Sequence, residues 1–132
     1  MNTVFSRFAG AGLFFVAIFV SGFWLSHSGR PYSALFFNVH KLIALAGIVF
    51  LGWTIYQVRG TVVFDTLAIV TLVVTAVCAV ATLISGGLQN IEPPLAILGT
   101  LHAIHRIFPY LTVLSSAGTL ALLLLRSPAT GG

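Results

Sequence analysis

Long hydrophobic runs, separated by short polar or Gly/Pro-containing segments, dominate this chain of 132 residues. The runs cover approximately residues 8–26, 34–57, 62–84 and 97–125. Each run is close to or longer than the roughly 20 residues that an α-helix needs to cross about 30 Å of hydrocarbon. The pattern predicts an all-α protein with four transmembrane helices, in which residues 1–132 form a single integral membrane domain.

The composition also indicates a membrane protein. Hydrophobic residues make up 58% of the chain and charged residues 6%, whereas soluble domains have about 45–50% and about 25%. Arg7 before the first run is reminiscent of a signal peptide, but the run is long for one and no small-x-small cleavage site follows it. We therefore expect the first run to be a retained helix, and we expect function to depend on the helices and their two surfaces.

The basic residues predict the orientation in the membrane. With the N-terminus inside, Arg7, Arg59 and Arg126 lie on the cytoplasmic side, and Arg30 is the basic residue of the outer connections. Short cytoplasmic segments are enriched in Lys and Arg. We therefore expect a bacterial inner-membrane protein with both termini in the cytoplasm. The spacing of the basic residues indicates no nucleic-acid partner; the lipid bilayer is the expected surrounding.

Histidines concentrate near the helix ends that this topology places outside; they are His27, His40, His102 and His105. Helix starts near residues 33 and 97 and a rise of about 1.5 Å per residue put His40 and His105 roughly 10–12 Å below the outer helix ends. Two imidazoles at one depth on different helices can bind one ligand between them.

A gapless shift of 65 residues aligns the segment VHKL with IHRI, so that His40 meets His105 and Lys41 meets Arg106. The same shift aligns Gly22 with Gly87. The pattern predicts two duplicated helical hairpins in an up-down-up-down four-helix bundle. In such a bundle the second and fourth helices are diagonal neighbours across the core.

A b-type haem fits this arrangement, because its iron accepts a neutral imidazole on each face and bundle cores hold such cofactors. His40 and His105 are the predicted iron ligands. Small residues are expected to leave space for the ring, and basic side chains are expected to reach its propionates. The expected small residues are Gly22, Gly47 and Gly87, and the expected basic residues are Lys41, Arg106 and Arg30.

His102 competes with His105 for the ligand role. The repeat favours His105, and so does Pro109, which cannot donate a hydrogen bond to the His105 carbonyl and is expected to kink the helix. His102 would then line a quinone pocket or orient a propionate. The alternative, in which His102 is the ligand, stays open.

These features resemble the four-helix membrane b-type cytochromes that exchange electrons with quinones. The resemblance is architectural and covers the whole chain. It implies haem b and an electron partner that is a quinone or a redox protein. Several members of that group carry a haem near each membrane face. Here the histidines lie only in the outer half, so the resemblance implies one haem.

Two other function classes stay open. The chain could be a non-catalytic subunit or assembly factor of a larger membrane complex, with its histidines used for packing. It could also be a metal or proton transporter with an outer histidine cluster, although Asp65 and Glu92 are its only carboxylate side chains. Whether it is an enzyme is undecided; the enzymatic form of the first hypothesis is a quinone-linked oxidoreductase component.

Overall fold

The computed structural model describes residues 3–29, 32–60, 64–89, 91 and 94–125. Within these ranges the chain forms four α-helices and no β-strand. The helices are α1 (Thr3–His27), α2 (Ala34–Val58), α3 (Thr66–Leu88) and α4 (Leu95–Leu125). The prediction of an all-α protein with four long helices is confirmed.

All four helices are long and apolar enough to cross a membrane. Their candidate spans have 23, 25, 23 and 31 residues, and about 20 residues suffice for the hydrocarbon core. Many of their large hydrophobic side chains are exposed, including Leu13, Phe23, Val49 and Leu114. An apolar surface of this extent is solvated by lipid rather than water. The chain is an integral membrane protein.

Helix α3 lies four residues further along the chain than the hydrophobic run 62–84 predicts. Its start is set by Asp65, whose side chain accepts a hydrogen bond from the backbone N–H of Ala68 at 3.0 Å. A carboxylate at this N-cap position satisfies one of the unpaired N–H groups of the first turn. At the other end the helix continues through Gly86 and Gly87 to Leu88. These glycines therefore belong to the helix surface.

The helices pack in pairs, α1 with α2 and α3 with α4. The chain divides accordingly into two compact units, Met1–Gly60 and Thr61–Gly132. Each unit is a helical hairpin. We call the end at which its two helices are connected the loop end, which is at residues 28–33 in the first hairpin and 89–94 in the second.

The core of the first hairpin is formed by aromatic and small residues. The rings of Phe14 and Phe50 lie 5.2 Å apart between centroids, and Gly10 faces the Phe50 ring. The buried positions on α2 are Gly47, Leu51, Thr54 and Val58. Small residues at a membrane helix interface allow the two backbones to approach closely, which increases van der Waals contact.

The core of the second hairpin is rich in hydroxyl groups; the buried ones are Thr75, Ser85, Thr112, Ser116 and Thr119. Each donates to a carbonyl of its own helix, at 2.8 to 3.1 Å. Thr75 also lies 2.9 Å from the hydroxyl of Ser115, a hydrogen bond between α3 and α4. Because these groups are satisfied locally, the polar stripe serves close helix packing.

The two hairpins bury equivalent positions of their second helices. Adding 65 to each buried position of α2 gives four of the five buried positions of α4, namely Thr112, Ser116, Thr119 and Leu123. The gapless shift that aligns His40 with His105 therefore also holds for the buried face of both helices, as a duplicated hairpin predicts.

Candidate functional site

In the first hairpin, His40 of α2 contacts α1 near the loop end. The imidazole is half-buried, and its Nδ1 lies 2.9 Å from the hydroxyl of Ser21. The ring also lies against Gly22, where an added Cβ would be 3.1 Å from His40 Cε1. Ordinary carbon contacts lie at about 3.5–4.0 Å. The glycine therefore permits the ring to pack against α1.

In the second hairpin, His105 of α4 contacts α3 in the same way. Its Nδ1 lies 3.1 Å from the backbone carbonyl oxygen of Thr82 and 3.4 Å from the hydroxyl of Ser85. A Cβ added at Gly86 would be 2.6 Å from His105 Cε1 and 3.0 Å from Nδ1. The ring thus occupies the space that any side chain at Gly86 would need.

The hydrogen bond to Thr82 fixes the tautomer of His105. The Thr82 carbonyl can only accept, so Nδ1 of His105 must donate to it. With the proton on Nδ1, the lone pair of this ring is on Nε2, which is the form in which a neutral imidazole binds a metal. The Ser21 hydroxyl lies 3.1 Å from the Ile18 carbonyl and 2.9 Å from Nδ1 of His40, and it can accept from that nitrogen or donate to it.

The two histidine sites are equivalent except that the second has one more residue between its serine and its histidine. Ser21 precedes His40 by 19 residues, and Ser85 precedes His105 by 20. The segments VSG at 20–22 and ISG at 84–86 are therefore equivalent, with one extra residue before the second histidine. The gapless pairing of Gly22 with Gly87 is off by one, since a Cβ at Gly87 would meet nothing within 4 Å.

Gly47 does not leave the open space that we expected below His40. It is buried, and an added Cβ would lie 3.1 Å from Ile18 Cδ1 and 3.2 Å from Phe14 Cβ. The face of α2 that carries Gly47 is therefore filled by α1. Its function in the hairpin is close helix packing.

The expected equal depth of His40 and His105 below the helix starts is also corrected. From Ala34 to His40 the rise is about 9 Å, and from Leu95 to His105 it is about 15 Å, at about 1.5 Å per residue. The prediction assumed that α4 begins near residue 97, but it begins at Leu95. The likeness of the two sites lies in the Ser-Gly step that each ring contacts.

The basic candidates flank the two histidines. Lys41 and Arg106 are exposed, and Lys41 Nζ lies 5.0 Å from the centroid of the Phe37 ring, one turn nearer the loop end. The lysine side chain therefore extends toward the loop end, as helix geometry predicts. Arg30, the third candidate, lies outside the described residues.

The remaining histidines have different surroundings. His102 is half-buried one turn before His105. His27 is exposed at the end of α1, where its Nδ1 lies 2.9 Å from the Phe23 carbonyl of its own helix. Among the residues that the structure describes, no group of three or more His, Cys, Asp or Glu side chains is placed to hold a metal ion. Cys78 is a buried free thiol.

No hydrogen-bond partner was predicted for either imidazole. Ser21 and Ser85 carried no prediction, and the Thr82 carbonyl has no side-chain signal in the sequence. The recurring Ser-Gly step, 19 or 20 residues before each histidine that is followed by a basic residue, is the signal that could have found the serines.

Comparison of the chain with protein-family models, with curated proteins and with solved structures finds no match.

Proposed function

We propose that the protein is a membrane b-type cytochrome that binds one haem b, with His40 and His105 as axial ligands. The observation that carries this proposal is the placement of Nδ1 in the two histidines. In each hairpin this nitrogen lies within hydrogen-bond distance of an oxygen of the neighbouring helix, 2.9 Å from Ser21 Oγ and 3.1 Å from the Thr82 carbonyl oxygen. Metal-ligating histidines donate their second ring N–H to an acceptor such as a backbone carbonyl, which leaves the other nitrogen for the metal.

The surrounding residues fit the group. Each ring is half-buried in its own hairpin, and the glycine at its edge lets it pack against the neighbouring helix without a clash. Lys41 extends toward the loop end, where a cation would neutralise a propionate at the membrane surface. Arg106 occupies the equivalent sequence position and is proposed for the same role.

A haem with two imidazole ligands supplies one-electron transfer, because the iron has no open coordination position for a substrate. We propose a membrane quinone as the electron partner and His102 as the residue that exchanges a proton with it. An imidazole is suited to this role because its ring nitrogens can accept and release a proton. His102 lies one helical turn from His105, so electron transfer and proton transfer would take place at the same end of the second hairpin.

Absorption spectroscopy of the purified full-length chain from haem-replete cells tests the proposal. The wild type should show the spectrum of a low-spin, six-coordinate b-type haem. His40→Ala and His105→Ala should each lose that spectrum. The matched control is His27→Ala. It removes an exposed histidine whose hydrogen bonds, within the described part of the chain, are with its own helix, and it should leave the spectrum unchanged.

Other outcomes separate the alternatives. A wild-type protein without a Soret band would refute the proposal and favour the subunit or transporter hypothesis. A low-spin spectrum that survives in His105→Ala but is lost in His102→Ala would show that His102 is the ligand.

A further inference from the structure

Three exposed side chains, Trp53, Tyr56 and Arg59, form a cluster at the end of α2 that is opposite the loop end. Each lies three residues after the previous one, which makes consecutive members neighbours on the helix surface. The guanidinium carbon of Arg59 lies 3.7 Å from the centroid of the Tyr56 ring. The Trp53 and Tyr56 rings lie 6.4 Å apart between centroids. We call these three residues the aromatic–arginine cluster.

The cluster presents hydrogen-bond donors at an apolar surface. The Tyr56 ring covers one face of the guanidinium, but the N–H groups of a guanidinium lie in its plane and point away from its edges. No hydrogen bond or ion pair joins Arg59 to another residue that the structure describes. Trp53 and Tyr56 are 58% and 53% exposed, and the indole N–H and the phenol O–H can also donate.

The length of α2 places the cluster at the level of the lipid headgroups. Near the loop end of the same helix, Lys41 Nζ lies 5.0 Å from the centroid of the Phe37 ring. The rise along the helix from Phe37 to Tyr56 is about 28 Å, close to the roughly 30 Å of the hydrocarbon core. When one cation–aromatic pair is at one surface of the bilayer, the other is therefore at the opposite surface. Trp and Tyr are enriched at this level.

The charge of the first hairpin favours an anionic partner. Residues 1–60 contain neither of the two acidic residues of the chain and four of its six basic residues, Arg7, Arg30, Lys41 and Arg59. A zwitterionic lipid brings a cation together with its phosphate, whereas an anionic phospholipid brings the phosphate alone. Arginine binds phosphate through two parallel N–H donors. The cluster is thus complementary to a headgroup with a net negative charge.

We propose that the aromatic–arginine cluster binds the headgroup of an anionic phospholipid. Arg59 donates to the phosphate oxygens, and the Tyr56 ring holds the guanidinium at the bilayer surface. Trp53, one turn deeper, packs against the upper part of an acyl chain. The site is built from α2 alone, so it does not depend on haem binding.

Fluorescence quenching in reconstituted bilayers tests the proposal with the full-length chain. The chain has two tryptophans, so a Trp24→Phe background leaves Trp53 as the reporter. Phosphatidylglycerol and phosphatidylcholine with the same brominated acyl chains are compared at equal mole fraction in phosphatidylcholine bilayers. The ratio of the two quenching constants then reports the headgroup. We expect phosphatidylglycerol to bind beside Trp53 roughly 5-fold more strongly, the effect of one basic residue near the membrane surface.

The variants separate a binding site from general charge attraction. Arg59→Gln should abolish the preference for phosphatidylglycerol. Tyr56→Leu, which keeps the net charge, should lower it roughly 2-fold through loss of the cation–π contact. The matched control is Arg7→Gln, which removes a basic residue near the start of α1 and should leave the preference unchanged.

Three outcomes would overturn the proposal. They are equal quenching by the two lipids in the Trp24→Phe protein, an equal loss of preference in Arg7→Gln and Arg59→Gln, and an undiminished preference in Tyr56→Leu. Inorganic phosphate distinguishes a lipid site from a site for the free ion. It should not compete when compared with chloride at equal ionic strength, and competition would overturn the assignment to a lipid.

Discussion

Replacement of Gly86 by alanine should disturb the His105 site far more than replacement of its neighbour Gly87. Both glycines lie in α3 and both substitutions add one methyl group. At Gly86 the new Cβ would be 2.6 Å from His105 Cε1, whereas at Gly87 it would meet nothing within 4 Å. The pair therefore isolates the contact with the imidazole from every effect that alanine has on the helix itself.

The magnitude follows from the geometry. To reach an ordinary carbon contact of about 3.5 Å, the His105 ring must move away from α3 by roughly 1 Å. The Thr82 carbonyl also belongs to α3, so its hydrogen bond to Nδ1, now 3.1 Å long, would be broken. Overpacking costs about 1–3 kcal/mol, and a membrane-protein hydrogen bond about 0.6 kcal/mol. The helix-propensity gain of about 1 kcal/mol is common to both variants and cancels.

Gly86→Ala should therefore be about 2–3 kcal/mol less stable than Gly87→Ala. Titration of both variants with SDS in mixed micelles, followed by circular dichroism, measures the difference in the free energy of unfolding. Haem content of the same preparations should fall in Gly86→Ala only. Equal stability and equal haem content in the two variants would refute the packing of His105 against Gly86.

Two further predictions concern orientation and proton exchange. A cysteine introduced at Gln89 in a cysteine-free background should react with an impermeant reagent in intact cells, and one at Gln57 should not, because the distribution of basic residues predicts that the end with Gln57 faces the cytoplasm. The reverse labelling would show the opposite topology. His102→Ala should retain the low-spin haem spectrum but slow haem reduction by a quinol analogue at least 10-fold, within the range of lost acid–base catalysis; an unchanged rate would remove His102 from the proposed reaction.

The positions of the helices followed from hydrophobicity, whereas their ends depended on local hydrogen bonds. The run 62–84 identified α3, but a hydropathy pattern does not register the side chain of Asp65 bonded to Ala68 N. Gly87, near the other end, was expected to leave space for a haem ring. It is part of the helix, because a membrane-spanning helix of this length tolerates glycine in its last turns.

The 65-residue repeat predicted which positions of the helices are equivalent and buried, but it did not predict which glycine contacts His105. The shift of 65 correctly related the buried face of α2 to that of α4, because buried positions recur with the helical period. It misplaced the glycine partner of His105 by one residue, since a gapless alignment cannot include the extra residue between Ser85 and that histidine. The expected open space at Gly47 failed because sequence spacing does not show which helix covers a face.

A pyridine haemochrome assay of the purified wild type, referred to protein concentration, measures whether the chain binds haem b through His40 and His105 as proposed. We expect one haem b for each chain, and none in the double variant His40→Ala/His105→Ala. Absence of haem from the wild type, or undiminished haem in the double variant, would refute the proposal.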